Sequence, residues 1–123
     1  GQACVVIHVS GLAAHTRNLH ARPAVSLLVM RAEVAGEPVH ALPRVTLEGR
    51  AEVLQPDGSA GQACRAAYLE RFPEAEPMTH LADFVFMAIH VTAARQIAGF
   101  GAARSIDAAE VARALGGDTG AEV

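Results

Sequence analysis

The sequence predicts a mainly β domain of the α+β class, an antiparallel sheet with short flanking helices. Three observations predict it. Arg44–Leu54 alternates without a break: Val45, Leu47, Gly49, Ala51 and Val53 fall on one face, Arg44, Thr46, Glu48, Arg50 and Glu52 on the other. That is the two-residue period of a half-covered strand. Apolar runs of strand length recur at Ala3–Val9, Val25–Arg31 and Phe84–Val91, rich in the β-branched and aromatic side chains that strands favour. The helical stretches between them are short and closed by proline or glycine.

Length and composition narrow the class further. At 123 residues the chain is one domain's worth, with no linker or internal repeat to divide it. Half of it is apolar (51%), enough for a single core without staples. The net charge is -3, aromatics are 4% and tryptophan is absent. There is no basic stripe or stacking platform of the kind a nucleic-acid surface needs. No run approaches the roughly 20 apolar residues of a membrane span. Cys4–Val9 is short and lacks a basic leader, so no signal peptide is expected. Cys4 and Cys64 are isolated and read as reduced, buried thiols rather than a structural disulfide. The expected setting is cytoplasmic. The chain begins with Gly1 and enters a strand almost at once, which suggests a truncated start.

In order along the chain, Ala3–Val9 is a strand apolar on both faces. His15–Ala21 is a short helix stopped by Arg22-Pro23, since proline disfavours helix in the residue before it. Val25–Arg31 is the second strand, and Glu33–Leu42, with Gly36 and Pro38, a loop. Gly49, inside the Arg44–Leu54 strand, suggests a bulge or a close backbone approach. Gln55-Pro56-Asp57-Gly58 is a turn. Ala60–Phe72 is a helix with Ala63, Ala67 and Leu69 toward the core, ended by Pro73. Glu74–Asp83 is a helical or irregular connector. Phe84–Val91 is apolar on both faces, Phe84, Phe86 and Ala88 against Val85, Met87, Ile89 and Val91. Both faces then need cover, a barrel interior on one side and a subunit contact on the other. Arg95–Phe100 is a last strand or its tail, closing at Gly99-Phe100-Gly101. Asp107-Ala-Ala-Glu110 has capping-box spacing and opens a helix to about Leu115, stopped by Gly116-Gly117. Residues 116–123 should fray.

The stretch Val5–Asn18 organises the chemistry. A strand passes through Ser10-Gly11 into a helix whose start carries His15, Thr16, Arg17 and Asn18. The first amides of a helix lack intrahelical acceptors and carry the positive end of the dipole, so such a corner suits a phosphate. An ordinary strand-to-helix corner, with Ser10 as turn or cap residue, draws on the same residue types.

The order strand, Ser-x-Leu-Ala-x-His-Thr-x-Asn, short helix, Arg-Pro-Ala, apolar strand and Pro-Arg-Val-Thr-Leu-x-Gly, with Tyr68-Leu69-x-x-Phe72-Pro73 and Gly99-Phe100-Gly101, resembles the pyridoxamine-phosphate-oxidase-like FMN-binding split barrels, in particular the branch that includes haem-utilisation proteins. The likeness runs from about residue 3 to residue 107. It implies an antiparallel Greek-key split barrel, a homodimer, and FMN in the groove between two copies, in a flavoprotein of oxidoreductase type acting on a small molecule. Carried over by position, Ser10, His15, Thr16, Arg17 and Asn18 are expected near the FMN phosphate or ribityl chain, with Arg44 beside the isoalloxazine ring. Ala13-Ala14-His15 stands where the oxidases often place Ser-Arg-Lys, so one imidazole replaces two stronger donors. The oxidases' substrate-binding Arg/His tail is absent, which argues against pyridoxamine phosphate as substrate. The resemblance also implies a helix and two strands ahead of this chain's first strand, lost or supplied by a partner segment.

Haem is the alternative cofactor that the same branch implies, for a haem-binding or haem-degrading protein, and a non-catalytic dimeric barrel is the third reading. His20, His40 and His80 are the candidate haem ligands, although five aromatics make a thin pocket lining. No two histidines have the i, i+4 spacing of a helical metal site. His8 and His90 read as core or interface histidines. Ser10, His15 and Asp83 form no credible triad without a Gly-x-Ser-x-Gly elbow. Gly99-x-Gly101 is too short for a dinucleotide loop.

Overall fold

The four strands that alternation and apolar runs predict are all present, three with ends within a residue or so of those expected and the last six residues longer, from Phe84 to Ile97. A computed structural model of the chain describes residues 4–98 and 103–116, the His40 side chain excepted. The strands are β1 (Cys4–Ser10), β2 (Ala24–Met30), β3 (Arg44–Val53), β4 (Phe84–Ile97) and β5 (Ala103–Asp107). The helices are α1 (Ala14–Ala21), α2 (Ser59–Arg71) and α3 (Ala108–Leu115), with 3₁₀ segments at Val39–Ala41 and Pro73–His80. The sheet runs in the order β1-β4-β3-β2, and β5 also pairs with β4. This is the mainly β, antiparallel α+β class that the sequence predicts.

Contacts gather the chain into two units, one formed by Val5–Val25 and Arg50–His90, the other by Gly1–Cys4, Ser26–Gly49 and Val91–Val123. In the first, Met87, Ala88 and Ile89 are buried almost completely, and Val9 and Leu54 are buried as well. Each large aliphatic side chain so buried contributes about 1.5–3 kcal/mol. Both faces of β4 are thus covered at this point within one chain, and a subunit contact is not needed to bury them. The Ala51 amide donates to Pro23 O at 2.8 Å and the Leu54 amide to Phe86 O at 3.1 Å.

α2 reverses one expectation. Ala63 and Ala67 are exposed and Leu69 is half-buried; the buried position is Gly61, and Cys64, Arg65 and Tyr68 are half-buried. The docking contact sets this face. A Cβ on Gly61 would stand 2.1 Å from Gln55 O, so the first turn of the helix lies directly on the carbonyl of the preceding turn. Tyr68, two turns on, faces the aromatic side chains of the sheet, and the small alanines are left outside. Cys64 is a free thiol, half-buried like Cys4 rather than fully enclosed.

In the second unit Leu42, Leu47, Val91, Ala94 and Val111 are buried. β2 alternates, Val25, Leu27 and Val29 half-buried and Ala24, Ser26, Leu28 and Met30 exposed. β4 extends to Ile97, so Arg95–Ile97 is the end of a fourteen-residue strand; Gly99-Phe100-Gly101 lies outside the described residues. The extension has its own partner: β5 pairs with it antiparallel from Ala93↔Asp107 to Ile97↔Ala103. The sequence reading missed β5, because Ala103–Asp107 is exposed at four of five positions and shows no apolar run. Asp107 caps α3 as predicted, its Oδ1 accepting from the Glu110 amide at 2.8 Å. The reciprocal half of a capping box is replaced: Glu110 takes a forked ion pair from Arg104 at 3.0 and 3.2 Å. Leu115 is the last residue of α3 and the Gly116 amide closes on Ala112 O. The expected fraying from 117 onward falls outside the described residues.

Candidate ligand site

Two places in the first unit concentrate polar and aromatic groups. One is the corner between β1 and α1. Ser10 Oγ accepts from the Leu12 amide at 3.2 Å, making Ser10 a turn residue; the N-cap is Ala13, with no side-chain cap. The Gly11 amide donates to Asp83 O at 2.5 Å, and the Thr16 and Arg17 amides both reach Ala13 O, at 3.2 and 3.3 Å. Arg17 Nη1 donates to Leu12 O at 3.2 Å. His15 and Asn18 are exposed. Thr16 is 1% exposed, and its hydroxyl has no hydrogen-bond partner among the described residues. The fold therefore brings Ser10, His15, Thr16, Arg17 and Asn18 onto one corner. Arg44 belongs to the other unit, where its Nη1 lies 3.4 Å from Leu42 O.

The second place is a cleft of about 490 Å³ lined by residues of β1, α2, the Pro73–His80 segment and β4, within the usual range for small-molecule sites. Its aromatic side is His8, Phe84 and Phe86. His8 stacks on Phe86 with centroids 4.4 Å apart and lies 5.1 Å from Phe84. Tyr68 meets Phe86 edge-on at 5.3 Å and Phe72 at 5.3 Å. Four of the chain's five aromatics, the fifth being Phe100 outside the described residues, thus gather in one cluster. The thin lining expected from composition ignored this concentration. Burial holds the His8 imidazole below its ordinary value of 6.5, so the ring is neutral at pH 7 and stacks without a charge to desolvate.

Gln62, Arg65, Thr79 and His80 line the cleft's polar side. Arg65 Nη2 donates to Thr79 Oγ1 at 3.0 Å, and Thr79 Oγ1 donates to Glu76 O at 2.7 Å. Glu76 Oε1 lies 2.7 Å from His80 Nε2 and 3.7 Å from Arg65 Nη2. A flat ring can stack on one side while anionic or metal-bearing groups meet guanidinium and imidazole on the other. The sequence reading named His80 but missed His8, Arg65, Phe84 and Phe86. The signal available was Phe-x-Phe on one strand and Tyr68/Phe72 at helical spacing; nothing local told that these converge.

His90, expected as a core or interface histidine, has its Nε2 3.6 Å from Glu52 Oε2, and its buried Nδ1 has no partner among the described residues. Also among these residues, no group of three or more His, Cys, Asp or Glu is placed to hold a metal ion, and no helix is long and apolar enough to cross a membrane.

A sheet of this order, with short helices and an aromatic cleft, has the split-barrel fold of flavin- and haem-associated proteins. The family model described as pyridoxamine 5'-phosphate oxidase matches residues 5–98, and the chain belongs to that family, in the branch where haem-associated proteins are found. Among solved structures it is similar to a haem-binding protein from Mycobacterium smegmatis, with 33% identity and a TM-score of 0.76, covering 89% of this chain and 44% of that one. It is also similar to HutZ, a haem storage protein from Vibrio cholerae, with 26% identity and a TM-score of 0.68, covering 74% of this chain and 65% of that one. ChuZ from Campylobacter jejuni shares the fold at 17% identity, with a TM-score of 0.74, covering 85% of this chain and 44% of that one. The chain thus spans about half to two-thirds of the length of these relatives. No curated protein matches it.

Proposed function

We propose that the chain is the split-barrel portion of a cytoplasmic haem-binding protein, acting as a homodimer. The observation that carries this reading is the 33% identity over 89% of the chain with the M. smegmatis haem-binding protein. The cleft supports it. Phe84, Phe86 and the neutral His8 offer a stacking surface for a porphyrin, Arg65 a cation for a propionate, and the polar side an imidazole. When bound, haem would supply one-electron and dioxygen chemistry. The residues of the chain would hold and orient the ring and keep water from one of its faces. Storage, transport and degradation of haem are all compatible with that role.

FMN is the second reading, as cofactor of an oxidoreductase. The observation that favours it is the Thr16 hydroxyl, buried in the first turn of α1 and without a hydrogen-bond partner among the described residues. A buried hydroxyl left unmatched costs about 1–3 kcal/mol, and a phosphate at the helix start would relieve it. Titration of the purified chain with ferric haem and, separately, with FMN tests both. A saturable Soret band supports the haem reading. Retained flavin absorbance without a Soret band replaces it with the FMN reading. Neither spectrum, on a folded dimer, leaves the non-catalytic barrel.

A further inference from the structure

We infer that the α2 cleft recognises its ligand by a carboxylate on a flat ring, that Arg65 sets this preference, and that iron takes no part in it. The inference rests on the haem reading for the ring and goes further by naming the group that the cleft reads.

The lining of the cleft is one-sided in charge. No Asp or Glu is among the residues that line it, in a chain whose net charge is -3. Arg65 is the one lining residue with a permanent positive charge, since a guanidinium does not lose its proton in a protein. Its side chain is 34% exposed, so salt and water screen it less than they would a free surface arginine.

The guanidinium is held in place. Nη2 donates to Thr79 Oγ1 at 3.0 Å, and Thr79 Oγ1 donates to Glu76 O at 2.7 Å. The bond to Thr79 uses one N–H of a five-donor fork; Nη1 and Nε make no hydrogen bond among the described residues. Glu76 Oε1 lies 3.7 Å from Nη2, beyond hydrogen-bond reach, and is met more closely by His80 Nε2 at 2.7 Å. A planar fork with spare N–H groups is matched by a carboxylate, which can accept two parallel bonds. Phe84 and Phe86 accept any flat ring, so Arg65 decides which flat rings are favoured.

Iron has no partner in this cleft. His80 Nε2 is on Glu76, and its Nδ1 is crowded by its own Cβ and backbone. His8 stacks on Phe86 at 4.4 Å with Phe84 and Tyr68 around it, and belongs to the wall. The cleft should therefore hold a porphyrin acid with or without its metal. An arginine that merely ties α2 to the Pro73–His80 segment would show the same bond to Thr79, and the experiment separates the two.

Metal-free protoporphyrin IX, its dimethyl ester and ferric protoporphyrin IX are titrated into the full chain and into R65Q and F84A. Wild type should bind the two acids with similar affinity and the ester roughly tenfold to hundredfold more weakly, the difference a charge-assisted hydrogen bond makes. R65Q, folded by circular dichroism, should bind both acids as weakly as the ester and leave the ester unchanged. F84A should weaken all three alike. Added salt should weaken the acids and spare the ester, a readout that needs no variant. R65K, which keeps the charge and loses the fork, should fall between wild type and R65Q, and serves the comparison if R65Q does not fold. Equal affinity for acid and ester in the wild type overturns the inference and leaves the haem reading standing. An acid preference that survives in R65Q also overturns it, as does ferric haem binding that R65Q does not weaken, since iron is then held elsewhere. Equal loss of acids and ester in R65Q overturns it too, since Arg65 then merely shapes the cleft. Failure of the wild type to bind ferric haem refutes the haem reading itself.

Discussion

The β1–α1 corner and the α2 cleft lie in the same unit and are built on opposite logics. The corner is nearly contiguous: nine residues, Ser10–Asn18, supply it together with the Asp83 carbonyl, and its turn amides and the Arg17 guanidinium already have acceptors. Ser10 holds the Leu12 amide, Arg17 holds Leu12 O, and Ala13 O serves two amides. The cleft is assembled from segments separate in sequence, and its groups both meet one another, as Arg65 does Thr79 and His8 does Phe86, and line an open space. A contiguous motif is easy to see in a sequence and can be self-sufficient. A dispersed one is invisible there, and what it leaves open is room for a ligand. The corner's buried Thr16 Oγ1, without a hydrogen-bond partner among the described residues, is what sets it apart from an ordinary turn.

The largest test of this contrast is Gly61→Ala. The added Cβ would sit 2.1 Å from a backbone oxygen that cannot rotate away. The intrinsic helix gain of about 1 kcal/mol is outweighed by the overpacking, which costs about 1–3 kcal/mol or more. Urea denaturation should show a net loss, and haem affinity should fall with it as α2 lifts from the Gln55 turn. An unchanged midpoint would mean that the cleft's helix is held elsewhere.

Next in size is Thr16→Val, an isosteric change that removes the orphan hydroxyl. If nothing occupies the corner, the variant should be more stable by about 1–2 kcal/mol, read as a rise in Tm. If the hydroxyl serves a phosphate, FMN affinity should drop in titration, as it should in a His15→Ala, Arg17→Ala double variant. A stabilised Thr16→Val with no flavin binding in either background would settle the corner as a turn.

The smallest effect concerns His8. Its folded value lies below 6.5 because burial disfavours the charged ring. The unfolded chain therefore binds more protons as pH falls, and stability rises with pH through this window. The His8 contribution is fully present above 6.5 and is lost as pH drops toward the folded value. Thermal melts at stepped pH should show that slope, and His8→Phe should flatten it. An equal slope in the variant would assign the dependence to another group.

Much of the fold was legible because it is local physics. β3 follows from strict alternation, α1 and α2 end where Pro23 and Pro73 require it, and Asp107 caps α3 by spacing. What escaped was set by contacts that the polar/apolar pattern does not encode. β5 exists because the end of β4 offers it an edge, and its own exposed residues carry no signal. The inward face of α2 was misjudged because alanines look apolar, while the true contact is a glycine pressed on a carbonyl. The Ser10–Asn18 cluster was legible as a cluster. The aromatic wall was not, since it needs the pairing of strands that bring His8 beside Phe84 and Phe86.

β4 touches three other strands, β1, β3 and β5, and hides Met87, Ala88 and Ile89 almost entirely. Opening these residues would break ladders on both edges of the strand and uncover both of its faces at once. Amide protons there should be the last in the chain to trade for deuterium, with protection approaching the global unfolding free energy. Those of the β1–α1 corner should trade early.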